Sequence, residues 1–167
     1  MKAKQQTQAM LRWLHSVGVD RADLAVRRAD GAMIWHRSQA LDQLPLGWAR
    51  AENVRSADVY VRAARGEPWP LTFLDDVPTR LARRITEKYS ALAVETSPVG
   101  GCHVWIVCQR PLDEPERAAA QRWLARQTGA DPASTSGEHL GRLAGFKNWK
   151  RSGAWVNLVA ASRRRPS

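Results

Sequence analysis

The chain has 167 residues, enough for one domain with a sizeable core, and its 44% apolar and 25% charged content excludes a disordered or fibrous class. A net charge of +10 favours a polyanionic partner. No apolar run approaches the ~18–20 residues of a membrane span, and the Met1-Lys2-Ala3-Lys4 start has no apolar signal core, so no membrane partner and a cytoplasmic location are expected.

Met10, Trp13, Leu14 and Val17 recur at helical spacing, which predicts an amphipathic helix ending near Gly18. Residues 23–28 and 31–35 read as paired short strands, 39–44 as a helical turn, and 45–53 as irregular. A strand follows at 57–63, a turn at 66–70 and a strand at 71–75. Pro78 is placed to open a helix with Leu81, Ile85 and Tyr89 inward. Residues 91–96 form a buried strand, and a loop through Gly100-Gly101 leads to a strand at 102–109. Asp113 and Glu116 make a capping box for a helix that carries Ala120, Trp123, Leu124 and Gln127 on one stripe and stops at Gly129. A basic segment at 141–150 and a last strand at 155–160 complete residues 1–161, read as a single domain, with 162–167 as a basic disordered tail. This order suits an α+β sheet with helices on one face. Cys102 and Cys108 lie ~20 Å apart along one strand, too far to bridge, and read as free buried thiols.

Three places carry chemistry. Asp75 and Asp76 close an apolar strand, and strand-end carboxylates suit Mg²⁺ or Mn²⁺. Successive strand side chains alternate between faces, so both acids can serve one ion only if the strand ends or bulges there. The simpler alternative is a helix cap and a solvated acid. His103 shares a face with Trp105 and Val107 and fits either a phosphate contact or a structural role. Arg142 offers a guanidinium fork for phosphate, with Lys147, Lys150 and Arg151 adding charge, and Gly141 and Gly145 allowing close backbone approach. The alternative is a solvated basic loop. Trp149 and Trp69, flanked by polar or turn residues, fit stacking on bases as well as they fit a core. His15, His36 and His139 show no partner in the sequence. Acids, histidine and basic residues in this order suggest nucleotidyl transfer.

The acid pair, the Gly101-Cys102-His103 strand, Glu95-Thr96-Ser97-Pro98 and the run from Gly141 to Asn148 resemble the catalytic domain of RepB-like plasmid primases, a branch of the archaeo-eukaryotic primases. The resemblance spans residues 57–160 and implies an RNA-recognition-like antiparallel core behind a small N-terminal α/β unit. It implies a third acid, best matched by Asp131 with Glu95 in reserve, and a nucleotide-phosphate contact at His103. The implied activity is primer synthesis on a single-stranded DNA template from nucleoside triphosphates, in plasmid or mobile-element replication. Such primases commonly carry a helical bundle beyond this domain, so initiation is expected to draw on a helical-bundle or helicase partner. Two rivals are a non-catalytic DNA-binding module on the same fold and a relaxase-type nuclease, which needs a histidine pair and a nucleophilic tyrosine.

Overall fold

The computed structural model describes residues 1–164. The chain order is α1 (Ala3–Ser16), β1 (Arg21–Arg27), β2 (Met33–Ala40), α2 (Leu46–Val54), β3 (Asp58–Arg62), β4 (Trp69–Val77) and α3 (Thr79–Lys88). Then come β5 (Ala91–Glu95), β6 (Cys102–Leu112), α4 (Glu114–Thr128), β7 (Gly141–Arg142), β8 (Lys147–Asn148), β9 (Ala154–Trp155) and β10 (Asn157–Ala161). Two antiparallel four-stranded sheets, ordered β2-β1-β3-β7 and β10-β5-β6-β4, stand beside a β8-β9 ribbon. This is the expected α+β architecture, but the N-terminal unit does not form a sheet of its own: its β1 and β2 are completed by β3 and β7 from the rest of the chain.

Period-2 alternation explains why the second sheet is buried on both faces. Leu71, Phe73, Leu92, Val94 and Trp105 share a cluster with Leu24, Val26, Val59 and Val61 of the first sheet and with Met10, Trp13 and Leu14 of α1. The opposite side chains, Leu74, Ala91, Ala93, Cys102 and Val104, lie under Ala82 and Ile85 of α3 and Ala125 of α4. His103 and Trp105 therefore share a face, as alternation predicts.

Several expectations change. Residues 45–53 are not irregular, because α2 forms there and buries Ala49, Glu52 and Asn53. Its inner face is largely polar, so hydrophobic periodicity cannot reveal it. The Asn53 side chain instead bonds Ala57 O at 2.8 Å and both Lys147 N and O at 2.9 Å. In α4 the capping box and the left-handed Gly129 stop form as predicted, but the buried stripe is Arg117, Ala118, Gln121 and Ala125, and Trp123 is exposed. Tyr89 is likewise exposed, and α3 packs through Ala82, Ile85 and Thr86. Order continues past 161: Ser162 N–H bonds Ala91 O (2.8 Å), the Trp13 indole bonds Ser162 O (2.8 Å) and Arg164 N–H bonds Ser90 Oγ (2.8 Å). The rest of the expected tail, 165–167, lies outside the described residues. Cys102 and Cys108 are free, the first buried and the second partly so.

Candidate active site between the two sheets

The acid pair sits in a β-bulge. Leu74 pairs with Val104 and Val77 with Cys102, so Asp75 and Asp76 together oppose one residue, His103. The bulge interrupts the strict alternation, leaving Asp75 turned to His103 and Asp76 exposed. Asp76 takes φ +57°, a left-handed conformation that Asp tolerates better than most side chains. Gly101 is required beneath it, because a Cβ there would come within 2.6 Å of Asp76 Oδ1 and 2.7 Å of its backbone.

Asp75 is the hub of the cleft. His103 Nε2 donates to its Oδ1 at 3.0 Å, and the Asp76 N–H donates to the same oxygen at 2.7 Å. Ser134 Oγ lies 3.2 Å from Asp75 Oδ2 and 2.8 Å from Asp131 Oδ2, joining the two carboxylates. The Asp131 N–H donates to Asp75 O at 3.0 Å. His139 Nε2 stands 3.7 Å from Asp75 Oδ2, its ring stacked on Phe73 at 5.2 Å. Burial works against ionising Asp75, but His103, then His139, outweigh it and hold the carboxyl well below the usual carboxylate range.

Burial lowers the pKa of His103 despite that carboxylate. The Arg142 N–H donates to His103 Nδ1 at 3.0 Å, so the neutral ring carries its proton on Nε2, aimed at Asp75. Both ring nitrogens are therefore engaged.

Arg142 lies on the facing wall. It is buried, pairs with Asp58 at 2.7 Å, bonds Tyr60 Oη at 3.1 Å and covers the Tyr60 ring at 4.8 Å. Asp58 Oδ1 also accepts the Trp149 N–H at 2.8 Å. The resulting cleft, about 500 Å³ and lined by Asp75, His103, His139, Arg142, Tyr60, Arg27 and Lys150 among others, is within the size range of small-molecule sites.

The third acid is near Asp75 because α4 holds the loop that carries it. Phe73 N–H, on the outer edge of β4, donates to Gln121 Oε1 at 2.9 Å. The Gln121 amide donates to Ser136 O at 2.8 Å, and Arg117 donates to Gly137 O at 3.0 Å and Leu112 O at 2.6 Å. A polar helix face thus closes an open sheet edge and fixes residues 131–139 over it.

Of the residues singled out from sequence, Asp75, His103, Arg142 and Lys150 line the cleft, Asp131 joins Asp75 through Ser134, and Asp76 is exposed beside Asp75, just outside that lining. Others do not. Trp69 is only 6% exposed and is packed in the core, which removes it as a base-stacking platform. Trp149 is partly buried, with its indole bonded to Asn53 O at 2.7 Å. Lys147 lies near the Trp149 and Trp155 rings, at 5.4 and 5.5 Å, away from the cleft lining. Arg151 is exposed, and Glu95 accepts from Thr79 at 3.4 Å. The two glycines of the basic run serve packing, not ligand approach: a Cβ on Gly141 would meet the Trp105 ring at 2.1 Å, and one on Gly145 would meet Ala3 O at 2.1 Å. Sequence reasoning missed His139, Ser134, Asp58, Tyr60 and Arg27. The only available signal was that 131–142 joins a helix stop to the basic run.

Among the described residues no three His, Cys, Asp or Glu side chains are arranged to hold a metal ion. The donor chemistry nevertheless fits a hard cation. Asp75 and Asp131 aim carboxylate oxygens at one Ser134 hydroxyl, which has a single proton to give. One oxygen is left facing lone pairs, a repulsion that a cation relieves. Mg²⁺ is commonly held by one or two carboxylates and completed by water and substrate phosphates.

Comparison with known proteins fits this geometry. Residues 36–165 match the family model described as the RepB DNA-primase N-terminal domain. Mobilization protein A of Escherichia coli is 35% identical over 156 residues, covering 90% of this chain but 22% of its own length, so the chain spans about a fifth of that relative. The crystal structure of the catalytic domain of primase RepB' in complex with initiator DNA superimposes with a TM-score of 0.81 at 30% identity, covering 93% of this chain and 85% of the other. A crystal structure of primase RepB' gives the same TM-score at 32% identity, over 92% and 55% of the respective chains. The archaeo-eukaryotic primase domain of the cyanophage S-2L primase-polymerase shares the fold, with a TM-score of 0.70 at 14% identity over 95% and 90%. With its carboxylate bulge, strand histidine and cationic wall in that fold, this chain belongs to the RepB primase family, matching its N-terminal DNA-primase domain.

Proposed function

We propose that the cleft performs template-directed nucleotidyl transfer, joining nucleoside triphosphates into a primer on single-stranded DNA with release of pyrophosphate. The observation that carries this reading is the Asp75–Ser134–Asp131 carboxylate pair facing the Arg142 wall. Phosphoryl transfer asks a protein mainly for positioning and charge neutralisation. Asp75 and Asp131, with Asp76 at the rim, would hold Mg²⁺ or Mn²⁺, which supplies the positive charge that stabilises the transferring phosphoryl group.

The chain's own groups do the rest. His103 keeps Asp75 ionised and oriented through Nε2, and Arg142 fixes the ring through Nδ1. A direct phosphate contact from His103 requires one of those two bonds to break. Lys150 and Arg27, exposed on the opposite side, are free to meet the triphosphate. Arg142 contributes from deeper in the wall, with its charge partly answered by Asp58. Tyr60 lines the same cleft, but burial raises its phenol pKa, the wrong direction for the nucleophile of a relaxase-type nuclease.

The test is incorporation of labelled nucleoside triphosphates on a circular single-stranded template with Mg²⁺ or Mn²⁺. Asp75→Ala should fall to background while circular dichroism shows the fold retained. Near-normal incorporation by a folded Asp75→Ala protein overturns the assignment.

A further inference from the structure

The second sheet carries α3 and α4 on the face turned away from the first sheet. The apolar side of α3 is spent on this packing, through Ala82 and Ile85. What it exposes is Arg80, Arg83, Arg84 and Lys88. From α4, Arg122 and Arg126 are exposed in the same layer. Glu87 is the one acid exposed beside them on α3. The two glutamates of α4 belong to its first turn, where Glu116 pairs with Arg110 at 2.6 Å. Among the described residues, none of these six cations forms an ion pair. The first sheet is mixed: there Arg37, Arg62 and Arg142 each have a carboxylate partner, while the exposed Arg21 and Arg27 pair with none among the described residues. The chain beyond β10 adds to the layer, because Ser162 bonds Tyr89 O and Arg164 bonds Ser90 Oγ, setting exposed Arg163 and Arg164 beside the C-terminal end of α3.

We propose that this helical layer docks the phosphate backbone of duplex nucleic acid, outside the catalytic cleft. Three features argue for it. The row Arg80–Arg84–Lys88 repeats every four residues on a rigid helix, placing charges about 6 Å apart along the axis. A regular cation row complements a regular polyanion, and duplex DNA is the densest such partner, with one charge per ~1.7 Å of axis. Single-strand tracks pair a groove with stacked aromatic platforms, whereas this surface is the outside of two helices and one of its two exposed aromatics, Tyr89, lies beneath Lys88 Nζ at 5.3 Å. Anionic membranes are disfavoured, because interfacial helices insert an apolar face and that of α3 is buried. The layer also begins at the site, since α3 starts three residues after Asp76. On the proposed reading of the cleft, on which the direction of travel rests, the duplex made there would leave across α3.

The experiment is fluorescence anisotropy of a labelled hairpin duplex and of a single strand of equal charge, titrated across a range of salt in EDTA without nucleotide. The variant is the triple substitution Arg80→Gln, Arg84→Gln, Lys88→Gln, on exposed positions, with the double substitution Arg80→Lys, Arg84→Lys, which keeps Lys88, as the charge-preserving control. The expected result is a duplex salt slope reduced by about 2–3, an affinity loss of about tenfold or more near physiological salt, little change for the single strand, and wild-type behaviour of the control. An unchanged duplex slope overturns the proposal. Equal losses for both nucleic acids also overturn it, in favour of a single-strand track. Wild-type hairpin affinity combined with lost binding to phosphatidylserine vesicles overturns it in favour of a membrane surface. Because turnover is absent, failure of the proposed catalysis is read separately: an inactive protein can still show the slope change, and an active one can lack it.

Discussion

The floor of the cleft and its rim are built on opposite terms. On the floor, Asp131, Ser134, Asp75, His103, Arg142 and Asp58 form one unbroken chain of polar contacts. At the rim, Asp76, Arg27 and Lys150 are exposed. The adjacent acids Asp75 and Asp76 fall on either side of this divide, because the bulge turns one inward and leaves the other in a left-handed, solvated position. Chemistry that depends on fixed charge belongs on the floor, where nothing has to reorganise at the moment of reaction. Contacts with a substrate that must arrive and leave suit the rim.

The largest effect that can sharpen this contrast is on catalysis. Asp75→Asn should lower incorporation by about a hundredfold or more, the scale of losing a preorganised charged group. Asp76→Asn, which keeps a side chain tolerant of the left-handed conformation, should lose about tenfold. Equal losses from the two variants would erase the distinction between floor and rim.

Stability should divide the same way. Arg142→Ala leaves Asp58 buried without its cation, and breaking a buried pair costs about 3–5 kcal/mol. Lys150→Ala, on an exposed side chain, should stay within about 0.5 kcal/mol, yet raise the nucleotide concentration needed for half-maximal rate. Urea unfolding midpoints and initial-rate kinetics measure both. An Arg142→Ala protein as stable as wild type would mean that the floor is not held by this pair.

The floor also sets a pH dependence in metal-free protein. His103 is buried neutral, with its pKa lowered by burial, so the unfolded chain takes up its proton before the folded one does. Its contribution is complete above the unfolded value of about 6.5 and is lost as pH falls below it, at no more than about 1.4 kcal/mol per unit. Asp75 has a depressed pKa, so its contribution is present above its unfolded value and is lost only in stronger acid, as pH falls toward the folded value. Unfolding free energies in EDTA should therefore start to decline below about pH 6.5, and His103→Gln should remove that first decline while leaving the one at lower pH. A wild-type curve flat down to the carboxylate range would contradict a neutral His103.

How much of this the sequence displays depends on how local the cause is. The acid pair, the capping box at Asp113 and Glu116, the stop at Gly129 and the two faces of β6 are all set by neighbours within a few residues. Ser134 and His139 reach Asp75 only because Gln121 and Arg117 grip their loop, and a buried polar stripe on a helix resembles a solvated one in sequence. The same blindness hid α2, whose inward face is Glu52 and Asn53. Trp69 misled for the converse reason. Its turn-rich neighbours suggested exposure, but the strand starts at Trp69 itself and its ring belongs to the core.

The smallest expected effect has the opposite sign to the others and tests the rim most directly. Asp76 holds its left-handed φ only because the bulge over Gly101 demands it. A left-handed L-residue costs about 1–2 kcal/mol, less for Asp, whereas glycine adopts that region without steric penalty but loses about 0.5–1 kcal/mol of chain entropy on folding. Asp76→Gly should therefore be neutral or stabilising, by no more than about 1 kcal/mol, even as the rim carboxylate is lost and incorporation falls. Gly101→Ala should do the reverse at the same spot: it leaves both acids in place, but its Cβ would lie 2.6 Å from Asp76 Oδ1 and force the bulge to move. If Asp76 serves the reaction from this position, both variants lose activity while their stabilities shift in opposite directions. Full activity in Asp76→Gly alongside impaired activity in Gly101→Ala would show that the bulge matters for where it sets Asp75, and that the second acid is a turn residue only.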